Sequence, residues 1–136
     1  MNIQQHVGSA SEKDIAKLCK SKGYWVHRMP TTTNGQSVDF IIVKGEEFYI
    51  FDCKHVSEDK VSFTFGRIES NQEASLNYMV EFAKISPLRL GFAIYFERIH
   101  KYLWLPYMLY KDLKAKGEKS CNMQLITHYE FEDLIG

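Results

Sequence analysis

Three charged side chains interrupt two short apolar stretches of the sequence. Asp39 falls within residues 38–43, and Asp52 and Lys54 fall within residues 47–54. Two carboxylates can hold a hard divalent cation, and an ammonium group can stabilise the charge that develops at phosphorus when water attacks a phosphodiester. These residue types therefore predict a divalent-metal site that hydrolyses a phosphodiester bond.

Strand geometry predicts that the three charges meet. Because side chains alternate between the two faces of a strand, Asp52 and Lys54 leave the same face. A tight turn at Gly45 joins the two stretches as a hairpin and places Asp39 alongside them. The residue between the last two charges, Cys53, offers its backbone carbonyl as a further oxygen ligand.

The Asp-x-Lys spacing has a simpler explanation when it is taken alone. An acid and a lysine near a strand end commonly form an exposed salt bridge. Here the pair closes an apolar run at residues 48–51, where unpaired charges would be costly, and a second carboxylate lies at hairpin distance. These neighbours favour the metal site over the salt bridge.

The rest of the sequence predicts the elements that position the hairpin. Ser11 is expected to cap a first helix that begins at Glu12 and ends near residue 22. Periodicity and residue type predict the following further elements: strands at residues 24–29, 91–96 and 102–106, and helices at residues 68–83 and 107–116. The terminal segment fits a strand at residues 123–126 and a helical turn at residues 129–135. This order predicts an α/β fold with a mixed central sheet and helices on both faces.

Length and composition predict a single domain over residues 1–136. The chain is 45% hydrophobic, and its apolar runs fall short of the ~20 residues that span a bilayer. No signal-peptide pattern opens the sequence, and its three cysteines lack a CxxC spacing. We therefore expect a cytoplasmic protein with reduced thiols and no membrane association. Because 17 basic residues balance 17 acidic ones, any nucleic-acid surface must be local.

The hairpin resembles a known nuclease signature. Asp39, a turn and then Asp52-Cys53-Lys54 resemble the PD-(D/E)XK motif, although Val38 stands where the motif has proline. The resemblance implies a restriction-endonuclease-like fold with an αβββαβ core, which matches the predicted order of elements.

A second resemblance lies downstream of the hairpin. The segment that begins at Ser62 and Phe63 and continues to Ile68 and Gln72 is similar to RecU-type Holliday junction resolvases. The predicted strands after the second helix are also similar to that family, so the resemblance covers about residues 8–113.

The resemblance implies a role for each matching residue. Asp39 and Asp52 would bind the metal, and Lys54 would orient or activate the attacking water and stabilise the transition state. Glu12 matches a first-helix acid that contacts the metal through water, although a first-turn acid also complements a helix dipole. Gln72 would support the site from the second helix, unless it is simply a solvated polar residue.

The activity that the resemblance implies is Mg²⁺-dependent cleavage of DNA, with Mn²⁺ as a substitute. A homodimer would resolve a four-way junction by symmetric phosphodiester hydrolysis in a bacterial or phage-infected cell. Arg28, Lys60 and Arg67 flank the site and are candidate DNA contacts. The connection at residues 30–37 is shorter than the stalk that RecU-type proteins insert into a junction.

Two alternatives stay open at this point. A nuclease of the same fold could act on other DNA, in repair or restriction. A catalytically inactive DNA-binding module could also keep the fold. Retention of Asp39, Asp52 and Lys54 together argues against the inactive module.

Overall fold

The structure is a computed structural model that describes residues 3–29 and 38–136. Its helices are α1 (Ile3–Ser21), α2 (Ser70–Glu81), α3 (Tyr107–Ala115) and α4 (Phe131–Ile135). Its strands are β1 (Trp25–Arg28), β2 (Phe40–Lys44), β3 (Glu47–Val56), β4 (Ser62–Thr64), β5 (Leu90–Phe96), β6 (Lys101–Pro106) and β7 (Ser120–Asn122). The predicted loop at residues 30–37 lies outside the described residues.

The central sheet is mixed, as the sequence predicted. Its five strands follow the order β1-β2-β3-β5-β6. β3 runs parallel to β5, and the other neighbouring strands are antiparallel. The chain passes through β4 and α2 between the two parallel strands, because a parallel pair needs a long crossover. The short strands β4 and β7 pair separately.

Helices cover both faces of this sheet. Ile15 of α1 and Phe131 of α4 pack on one face against Phe51 of β3. Leu76 of α2 and Tyr110 of α3 pack on the other face with side chains of β3, β5 and β6. This arrangement confirms the predicted fold class, an α/β protein of restriction-endonuclease-like architecture. No helix among the described residues has the length and apolar character needed to cross a membrane.

The predicted start of the first helix was wrong. α1 begins at Ile3, so Ser11 lies inside the helix and does not cap it. Residues 3–11 contain no proline, and nothing in their backbone chemistry forces the helix to begin later. Glu12 therefore lies beyond the first turn, and the helix-dipole explanation for this acid does not apply.

Two other boundaries also differ from the prediction. α2 begins at Ser70 because Glu69 and Gln72 form a reciprocal capping box at its start. The expected strand at residues 123–126 is a 3₁₀ turn (Met123–Leu125), since the side chain of Asn122 accepts a 2.9 Å hydrogen bond from the Gln124 backbone. The last strand lies just before that turn, in β7.

Candidate active site

The hairpin of β2 and β3 brings two carboxylates together. Its register pairs Phe40 with Phe51, and Asp39 and Asp52 are the residues next to that pair in the two chain segments. The Asp39 side chain also accepts a 2.9 Å hydrogen bond from the backbone N–H of Cys53. Asp39 and Asp52 are only 5% and 1% exposed, so both acids lie in the protein interior.

A polar network from α2 holds the lysine of the hairpin. Asp52 Oδ2 accepts hydrogen bonds of 2.8 Å from Lys54 Nζ and 2.8 Å from Gln72 Nε2. Gln72 Oε1 in turn accepts from Lys54 Nζ at 3.2 Å and from the Glu69 N–H at 3.1 Å. Lys54 Nζ makes a third contact of 3.1 Å with the backbone carbonyl of Arg67. The predicted residues Asp52, Lys54 and Gln72 therefore lie in one connected network.

The polar network satisfies only one of the two carboxylate oxygens of Asp52. Its second oxygen, Oδ1, is buried and has no hydrogen-bond partner among the described residues. Burial raises the pKa of Asp52, and its interaction with Asp39 raises it further, while the Lys54 ammonium lowers it. The net shift is upward, which means that this position disfavours a lone negative charge.

Glu12 approaches the same region from α1. It forms an ion pair with Arg28 at the end of β1. Burial raises the pKa of Glu12, the Arg28 guanidinium opposes this shift, and the charges of Asp52 and Lys54 also act on it. The structure therefore places the first-helix acid within the electrostatic influence of Asp52 and Lys54, and its predicted contact with a metal through water stays a prediction.

The three candidate DNA contacts have different surroundings. Arg28 is engaged by Glu12, whereas Lys60 is exposed in the turn after β3. The Arg67 guanidinium donates to the backbone carbonyl of His55, and burial lowers the pKa of Arg67. Their role in DNA binding stays a prediction.

The two carboxylates supply oxygen atoms, the type of ligand that hard cations such as Mg²⁺ bind. The described residues contain no group of three or more His, Cys, Asp and Glu side chains that could hold a metal ion. Mg²⁺ keeps several waters and commonly uses only one or two protein carboxylates together with substrate phosphate oxygens. The buried Oδ1 of Asp52 offers an oxygen of the kind that such a cation binds.

Sequence reasoning missed how Lys54 and Gln72 are anchored. The Arg67 carbonyl that receives Lys54 depends on the path of the chain after β4, and no local pattern indicates it. The Glu69-x-x-Gln72 spacing is a signal that the sequence does contain, because it is the spacing of a capping box. Recognising it would have placed Gln72 at the first turn of α2.

A comparison with protein-family models assigns almost the whole sequence to one family. A family model described as "Archaeal holliday junction resolvase (hjc)" matches residues 3–135. None of the curated proteins compared with the chain matches it. The match supports the predicted resemblance to PD-(D/E)XK-type resolvases, and the RecU-type assignment stays a prediction. The protein belongs to the family of archaeal Holliday junction resolvases.

Proposed function

We propose that the protein is a divalent-metal-dependent endonuclease that resolves four-way DNA junctions. The family match supports the junction as substrate. The observation that carries the chemistry is Asp52 Oδ1, a buried carboxylate oxygen without a hydrogen-bond donor among the described residues, beside a second buried acid. A protein that needed only stability would be expected to satisfy such an oxygen or replace it.

In this proposal Asp39 and Asp52 hold Mg²⁺, or Mn²⁺ in its place, with the backbone carbonyl of Cys53 as a third ligand. When bound, the cation would polarise the scissile phosphate and neutralise charge that develops there. Glu12 would reach the cation through water from the α1 side, and its upward pKa shift reflects the same desolvated surroundings.

Lys54 would act on the attacking water and on the transition state. Its ammonium group has three N–H donors, and it has three acceptors within 3.2 Å: Asp52 Oδ2, Gln72 Oε1 and the Arg67 carbonyl. Contact with water or phosphate therefore requires Lys54 to exchange one of these partners. Gln72 also bonds to Asp52 and to the Glu69 N–H, so it serves as a positioning residue that holds the ammonium group beside Asp52.

We also propose that the active form is a homodimer, since two symmetric cuts require two active sites. Tyr78 of α2 and Phe82, which directly follows α2, are both exposed, and their ring centroids lie 5.2 Å apart. An exposed apolar patch of this kind often marks a protein interface. Sedimentation should show a dimer for the wild type and a monomer for a variant that carries Tyr78→Lys and Phe82→Lys.

Junction cleavage tests the proposal directly. Purified protein with Mg²⁺ or Mn²⁺ should cut a synthetic four-way junction into nicked duplexes, and EDTA should stop the reaction. Failure to cut a junction, a flap, a duplex or a single strand with either metal would contradict the enzymatic function. Equal cutting of plain duplex and junction would contradict only junction specificity and would favour a nuclease of repair or restriction.

Several finer expectations from the sequence stay predictions. The family is described as archaeal, which gives no support to the expected bacterial or phage setting. We keep the cytoplasm as the proposed location because the substrate is DNA. The single domain over residues 1–136 is likewise an expectation from length.

A further inference from the structure

An aromatic pair is exposed on the edge strand β1. The side chain of Trp25 is 60% exposed, and its ring stacks on that of His27 with centroids 5.6 Å apart and planes 8° apart. The chain has two tryptophans, and the other one, Trp104, is buried in the core. A flat, solvent-facing indole is a suitable surface for another aromatic ring.

Strand register places this pair on the same sheet face as the candidate active site. His27 pairs with Ile41 of β2, and Ile41 pairs with Ile50 of β3. Because Asp52 lies two residues beyond Ile50, its side chain shares that face with His27 and Trp25. Strand spacing and rise put His27 about 12 Å and Trp25 about 17 Å from Asp52. That separation equals about three to five nucleotides of a stacked DNA strand.

Among residues 38–136, the helices that cover the rest of this sheet face do not extend over its β1 end. α2 and α3 pack over β3, β5 and β6, whereas Ile41, Val43 and Phe48 at the β1 end are only half buried. The Arg89 guanidinium lies 5.4 Å from the ring centroid of Phe48, in the strand row that also contains Trp25. This region is therefore bordered by the aromatic rings of Trp25 and His27 and is apolar in between. Arg89, which pairs with Glu47, supplies a cation beside it.

We infer that Trp25 and His27 form a stacking platform for a base of the DNA strand that enters the active site. The inference rests on the proposed function, because it takes the junction DNA of this family as the substrate and assigns this face to the strand that reaches Asp52. An unpaired base near the branch point has a free π-face, and stacking on aromatic side chains accepts any base. Phosphates on either side of that base would face Arg89 and the basic residues near the site.

Binding and stacking can be measured on the same variants. Trp25→Leu keeps an apolar side chain but removes the flat ring, and Trp25→Tyr keeps a ring. Tyr129→Leu is the matched control, since Tyr129 is 50% exposed and lies beside β6 at the opposite edge of the sheet. In EDTA, Trp25→Leu should bind a four-way junction roughly tenfold more weakly than wild type, while Trp25→Tyr and Tyr129→Leu stay within about twofold.

A fluorescent base locates the contact. 2-Aminopurine is placed singly at each of the five nucleotides on either side of the cut. Its emission should be quenched by the wild type and Trp25→Tyr at one position, and not by Trp25→Leu. Intrinsic tryptophan emission of the wild type should fall on binding as well, and Trp25→Leu, which keeps only Trp104, should lose this change.

The outcomes separate this inference from the proposed function. Normal junction cleavage together with equal binding by Trp25→Leu and no quenching would overturn the stacking platform and leave the nuclease intact. Loss of dimer mass in Trp25→Leu, without any base quenching, would assign this face to a second copy of the chain and also overturn it. A wild-type protein that neither binds nor cuts junctions would overturn both proposals.

Discussion

Asp52 and Glu73 are two carboxylates that each pair with a lysine near the start of α2, but their burial and their hydrogen bonds differ. Glu73 accepts hydrogen bonds from Tyr110 and from Lys114, whose ammonium lies 2.9 Å from Oε2. Its side chain is 20% exposed, against 1% for Asp52. Partial burial raises the pKa of Glu73, but the hydrogen bonds from Tyr110 and Lys114 outweigh it, and the net shift is downward.

The comparison distinguishes the Glu73 cluster, which is structural, from the Asp52 site, where a buried carboxylate is only partly hydrogen-bonded. The cluster around Glu73 ties α2 to α3, and each carboxylate oxygen has a donor. Asp52 keeps one buried oxygen without a donor among the described residues, and its pKa shifts upward. Proteins tolerate such destabilising groups mainly where function requires them. The two lysine-carboxylate pairs should therefore respond differently to the same substitutions.

The largest expected difference lies between the two lysines in catalysis. Lys54→Ala should lower the rate of junction cleavage by at least about a hundredfold, because it removes a charge that stabilises the transition state. Lys114→Ala removes an equally charged side chain from the other cluster, and should leave the rate within about threefold. Single-turnover cleavage with saturating protein measures both, and a gel-shift assay should show that Lys54→Ala still binds the junction. Equal losses in the two variants would mean that Lys54 has only a structural role.

The next difference concerns stability and metal. In EDTA, Asp52→Asn should raise the free energy of unfolding by about 1–3 kcal/mol, because the upward pKa shift of Asp52 shows that its position disfavours the ionised carboxylate and the amide can donate to Asp39. Glu73→Gln should instead lower the free energy of unfolding.

Mg²⁺ at a hundred times its dissociation constant should stabilise the wild type by about 2.7 kcal/mol and Asp52→Asn by much less. Urea unfolding with and without Mg²⁺ tests this, and equal stabilisation of both proteins would place the metal elsewhere.

The parts of the fold that sequence predicted well depend on local periodicity. Alternation along the hairpin fixed the shared face of Asp52 and Lys54, and the short turn at Gly45 fixed the partner strand that carries Asp39. The positive φ of 61° at Gly45 is a conformation that glycine adopts without strain. These features need no knowledge of the rest of the chain, so the mixed sheet and its central hairpin were predictable.

The parts that sequence missed depend on distant segments. Lys54 is anchored by the Arg67 carbonyl, and Glu73 is satisfied by α3, which lies more than thirty residues away. The exposure of Trp25 depends on where α2 and α3 end over the sheet, which the strand pattern alone does not reveal. The start of α1 was mispredicted because Ser11 has the chemistry of a cap and yet lies within a continuous helix.

The smallest difference is the pH dependence of the Glu73 cluster. Since the folded pKa of Glu73 lies below its ordinary value of 4.5, its pairing stabilises the protein above that value and is lost as the pH falls through the folded pKa. Glu73→Gln should therefore be less stable than wild type by about 0.5–1 kcal/mol near neutral pH and about equal to it near pH 3. Urea unfolding at the two pH values measures the difference, with Asp112→Asn, from the exposed pair of Asp112 and Lys116, as the control. If Glu73→Gln still had a lower free energy of unfolding than wild type near pH 3, packing rather than charge would be what stabilises this cluster. The contrast with Asp52 would then be weaker.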